Sequence, residues 1–132
     1  MPTLTHKLVG VIAMLTLATD ARPFDLEQAL QNTAAHINET VPRPIGNHTD
    51  LVGAEGYEKT LKYRFTFLGL TKDQVGSAFT RKQTEFLTDF VCTTPAMSVF
   101  LENGVTLKYA YHDRNGKLVV LISVDPKSCA VE

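Results

Sequence analysis

The sequence predicts an α+β domain, an antiparallel sheet of about four strands with two long helices packed on one face, in the order α-β-β-α-(short α)-β-β with one disulfide. Three observations predict it. Apolar residues recur at helical spacing around Leu26–Ile37 and Val75–Phe90. Around Lys59–Leu68 and Gly104–Val124 they alternate with a period of two. The only two cysteines, Cys92 and Cys129, bracket the last of these β segments.

The first 21 residues read as a secretory signal. Lys7, with His6 and the free amine, supplies positive charge, Leu8 to Ala18 is an unbroken apolar or small run, and small residues follow. Cleavage is expected after Ala21, with Ala18 the second choice, leaving one domain over 22–132. The apolar run is too short to span a bilayer, so the processed chain is expected to have no transmembrane segment. Export makes a structural disulfide between Cys92 and Cys129 the expected fate of the pair. Closing that loop would contribute about 3 to 4 kcal/mol in the chain-entropy model.

The domain opens on a helix. Asp25 suits the N-cap, Gln28 completes a capping box and Phe24 can fold back as a staple. Leu26, Ala29, Leu30, Thr33, Ala34 and Ile37 form its apolar stripe, and Pro42 and Pro44 stop it. A strand is expected from Thr49 to Glu55. A second runs from Lys59 to Leu68, where Leu61, Tyr63, Phe65 and Phe67 alternate with Lys62, Arg64 and Thr66. Leu70 and Thr71 begin the longest helix, with Gln74 completing its box and a face of Val75, Phe79, Gln83, Phe86 and Phe90, ending near Val91. Thr94 and Pro95 start a short helix that Gly104 ends. Val105 to His112 and Lys117 to Val124 then form a hairpin about Asp113–Gly116. Leu118 to Ile122 is apolar on both sides, the pattern of a central strand. Thr-Leu-Lys-Tyr occurs twice, at Thr60–Tyr63 and Thr106–Tyr109, a match too short to establish a duplication.

The residues Cys92, Pro95, Gly104, Val105, Leu107, Tyr109, Tyr111, Asp113, Gly116 and Cys129 make a Cys-x-x-Pro, Gly-Val-x-Leu-x-Tyr-x-Tyr-x-Asp-x-x-Gly and final Cys pattern. With the preceding signal, helix and Tyr-x-Phe strand it resembles a group of small exported proteobacterial proteins of uncharacterised function. The resemblance implies a periplasmic or secreted location and an α+β fold. It passes on no catalytic residue.

No chemistry is signalled by spacing. His36, His48 and His112 form no metal pattern, the serines lack a nucleophile setting, and no glycine loop suits a phosphate. Neither a cofactor nor a metal is expected. A formal net charge of -1 argues against a nucleic-acid partner. The candidate binding surface is the polar face of the sheet: if the strands of Leu61 and Leu107 share one sheet, Lys62, Arg64, Lys108 and His112 lie together. Such a patch suits an acidic protein surface or an anionic envelope component. The expected function is a non-enzymatic accessory protein. The alternatives are a small exported enzyme with a dispersed polar site and a carrier of an apolar ligand.

Overall fold

The computed structural model describes residues 24–46 and 48–130, so the expected signal, with Ala18 and Ala21, lies outside the described residues. The α+β class and the element order are as the sequence predicts. Helix α1, Leu26–Asn38, is capped by the Asp25 carboxylate, which accepts from the Gln28 N–H at 3.1 Å. The rest of the expected cap does not form: the Gln28 side chain donates to Asn32 instead, and Phe24 stands 65% exposed rather than folding back. Leu30 and Ala34 sink into the core, with Leu26 and Ile37 partly buried beside them. At its far end Asn38 donates to the Ala54 carbonyl and accepts from the Ala54 N–H, at 3.0 and 2.8 Å, which binds the helix to the sheet.

The sheet has five strands, one more than expected: β1 Arg43–Gly46, β2 Thr49–Tyr57, β3 Thr60–Phe67, β4 Thr106–His112 and β5 Leu118–Val124, side by side in that order. β1 lies in the segment expected only to stop α1, because the extended backbone that prolines impose also suits a short strand at an edge. The sheet is mixed. β3 and β4 are parallel, where an antiparallel sheet was expected, and the other three pairs are antiparallel. Between β3 and β4 the chain forms α2, Ser77–Thr93, and α3, Pro95–Glu102, a crossover long enough to return it to the starting end of the sheet. The two Thr-Leu-Lys-Tyr segments therefore lie in register, Thr60 beside Thr106, Leu61 beside Leu107, Lys62 beside Lys108 and Tyr63 beside Tyr109.

Two further expectations are corrected. The Thr71–Gln74 box does form, with Gln74 Oε1 accepting from the Thr71 N–H at 2.8 Å, but it closes a single 3-10 turn, Lys72–Gln74. The Lys72 N–H is held by Asp113 Oδ2 at 2.8 Å, Val75 is extended, and α2 starts only after Gly76. A contact distant in sequence thus overrides the local helix signal. β5 is an edge strand, not a central one. Its doubly apolar pattern arises from a bulge at Val119: Leu118 opposite His112 and Leu121 opposite Ala110 both fall on the face away from the helices, 46% and 45% exposed.

Cys92 near the end of α2 is bonded to Cys129 in the 3-10 turn Pro126–Cys129 that follows β5. The expected bridge between the long helix and the last strand is therefore present.

Candidate functional site

The two long helices cover the aromatic face of the sheet incompletely. α1 packs on β2, while α2 lies toward β5 and buries Leu87 and Val91. Between them the floor is formed by Tyr63 and Phe65 of β3 and Tyr109 and Tyr111 of β4, whose rings stack in sequence. Tyr63 and Tyr109 lie with centroids 5.1 Å apart and Phe65 and Tyr111 at 4.7 Å. This stacking follows from the parallel register, which puts Tyr63 beside Tyr109 and Phe65 beside Tyr111.

Over that floor runs an open apolar groove in two adjoining hollows of about 560 and 450 Å³, which share Ile45, Gln83, Phe86 and Tyr111. Ile45 of β1 forms one wall and Phe86 and Phe90 of α2 the other. These three are 49%, 61% and 40% exposed, although sequence periodicity assigned the two phenylalanines to a buried face. Phe86 and Phe90 are one turn apart and stack on each other at 6.4 Å. The apolar stripe of α2 is wider than the part of it that is buried, which is Leu87 and Val91. That excess width, broken by polar Gln83, was the available signal.

Polar groups in the groove are few. Gln83 Nε2 donates to the Tyr111 hydroxyl at 2.9 Å, and Arg43 lies at the rim by β1. Burial raises the pKa of Tyr63, Tyr109 and Tyr111 above the usual phenol value, so all three are neutral at physiological pH. Among the described residues the buried Tyr109 hydroxyl has no hydrogen-bond partner.

On the opposite face no helix among the described residues covers the sheet. Lys62 and Lys108 are direct neighbours, Arg64 lies beside Ala110, and His112 lies beside Thr66, so the register sets all four candidate residues on one surface. Among the described residues Lys62, Arg64 and Lys108 make no ion pair within 4 Å, although Glu55 of β2 is the cross-strand neighbour of Lys62. Like charges side by side in a sheet cost stability.

Asp113 is the one buried carboxylate among the described residues, and its role is structural. Oδ1 accepts from the N–H groups of Asn115 and Lys117 at 2.8 and 2.9 Å, and Oδ2 from Lys72. The hairpin turn is thereby fixed, with Gly116 at a positive φ of 84°. The Lys117 N–H, followed by those of Lys72 and Asn115, holds the Asp113 carboxyl below the usual range. A carboxyl lowered in the folded state contributes stability above its unfolded pKa, near 3.9, and loses it as pH falls through the folded value. Acid titration followed by circular dichroism should show that loss only below about pH 4; Asp113→Asn, which cannot ionise, should flatten it. An unchanged acid limb in that variant would remove Asp113 as its source.

Among the described residues no group of three or more His, Cys, Asp or Glu side chains comes together to hold a metal. The cysteines are both in the disulfide.

No family model matches the chain, and no curated protein matches it. Solved structures do. A pilotin of the type 2 secretion system of Vibrio vulnificus, EpsS, superposes with a TM-score of 0.68 at 16% identity, over 81% of this chain and 94% of that one. A protein of Pseudomonas aeruginosa described as a candidate secreted protein gives 0.71 at 19% identity, over 79% and 92%. The type II secretion system pilotin AspS of Vibrio cholerae gives 0.61 at 15% identity, again over 79% and 92%. The chain thus has the fold of these small proteins.

Proposed function

We propose that the protein is an exported, non-enzymatic accessory factor whose aromatic-floored groove receives an apolar, helix-forming segment of a partner protein. The observation that carries this reading is the open groove with Phe86 and Phe90 standing exposed on its wall. Such a trough fits the apolar face of a helix better than a small molecule, which an enclosed cavity would suit. The fold shared with two secretion-system pilotins supports a partner in an envelope secretion machine. Cleavage after Ala21, giving a periplasmic or secreted protein that starts at Arg22, belongs to the same reading and is tested by the intact mass of the exported form.

The second surface is the patch of Lys62, Arg64, Lys108 and His112. Its in-register lysines, free of any ion pair within 4 Å among the described residues, favour an acidic protein surface or an anionic envelope component. One experiment weighs both surfaces. The exported protein and its Phe86→Asp and Lys62→Glu/Lys108→Glu variants are used to capture partners from the envelope fraction. Phe86→Asp should weaken capture by about thirtyfold, the scale of losing an aromatic anchor. The lysine variant should weaken it less and abolish its salt dependence. Capture indifferent to Phe86→Asp removes the groove; capture indifferent to salt and to the lysine variant removes the patch.

A further inference from the structure

The two edges of the sheet are finished differently. β1 is four residues long, exposed throughout and interrupted by Pro44, so it offers little for another strand to pair with. β5 is seven residues long, Leu-Val-Val-Leu-Ile-Ser-Val, with no charge and no proline. It pairs only with β4, and among the described residues no loop or helix hydrogen-bonds to its other side. Its bulge at Val119 lies near the start, leaving Val120–Val124 in regular register with Leu107–Tyr111. Natural proteins normally protect an edge of this composition.

We propose that β5 pairs antiparallel with β5 of a second copy, about a two-fold axis at Leu121, joining two five-stranded sheets into one. The ends of the strand argue for a second copy as the occupant. Lys117 precedes β5 and Asp125 follows it, with an apolar centre between them. An antiparallel pair brings Lys117 of each copy alongside Asp125 of the other, whereas a parallel pair would set like charge against like. At the axis the two Leu121 side chains cover each other on the face where each is now 45% exposed. The contact is isologous and closes on itself, so it consumes the edge without propagating. It is independent of the groove, which lies on the opposite face of the sheet.

Sedimentation of the exported protein across the micromolar range should show a concentration-dependent dimer. Leu121→Lys places two like charges at the axis and should raise the dimer dissociation constant about tenfold or more, with the thermal midpoint of the monomer unchanged because the site is at an exposed edge. Leu121→Cys should cross-link to itself on mild oxidation, since residues facing each other across such an axis lie within disulfide reach, and Leu118→Cys should not. A wild-type protein that stays monomeric overturns the proposal. So does a dimer that survives Leu121→Lys, or one that dissociates on Phe86→Asp and forms no link at position 121.

Discussion

A protein carrying Cys92→Ala and Cys129→Ala is expected to lose about 3 to 4 kcal/mol of stability, on the order of 10 to 25 °C in Tm for a domain of this size. The bridge spans 37 residues of chain, including α3, β4 and β5. In the unfolded state it removes the entropy of that loop. In the folded state it holds the 3-10 turn that follows β5 against the end of α2. α2 is the helix that carries Phe86 and Phe90, so its loosening should also weaken partner capture before the sheet melts. The check is thermal unfolding with and without reductant, together with a thiol assay. A Tm indifferent to reductant, or free thiols on the purified protein, would sink the prediction.

The second large effect is expected at Gly56. A methyl group there would lie 2.5 Å from the carbonyl carbon and oxygen of Leu30 and 2.9 Å from the Gln31 nitrogen, all backbone atoms of α1. Backbone within a helix cannot rotate aside as a side chain can. Gly56→Ala must therefore push α1 off β2 and open the core around Leu30, at a cost of about 3 kcal/mol, the upper end for overpacking. Gly53→Ala is the control. Its methyl group would meet only the guanidinium of Arg64, the flexible end of a side chain, and should cost much less. Urea unfolding separates the two: the midpoint should fall sharply for Gly56→Ala and little for Gly53→Ala, with the slope unchanged. Equal midpoints would show that α1 does not depend on this close approach.

Gly56 also illustrates what was legible beforehand. Its place near the end of a strand was visible, but the helix backbone pressed against it comes from residues distant in sequence. The same division runs through α2. Periodicity assigns Phe86 and Phe90 to its buried face, yet they line an open groove, while Val91, expected only as the end of the helix, is fully buried. Periodicity reports which side of a helix is apolar; it cannot report how wide the neighbouring surface is. The in-register Thr-Leu-Lys-Tyr segments are a case in which the signal was present and undervalued. Two like segments separated by helices are what a parallel pair of matching strands requires.

What the sequence determined by itself was local or covalent: the Asp25 cap, the alternation that makes β3 and β4, the Asp113–Gly116 turn, and the Cys92–Cys129 pair. Each rests on interactions within a few residues, or on chemistry that compartment and cysteine count decide. The tertiary structure alone decided that β3 and β4 run parallel, that β5 is an edge, and that the helices leave a groove between them. A period of two fixes which face of a strand is apolar but leaves open which strand lies beside it. Strand neighbours are chosen by the packing of the whole chain, and the groove, the basic patch and the β5 edge are all products of that choice.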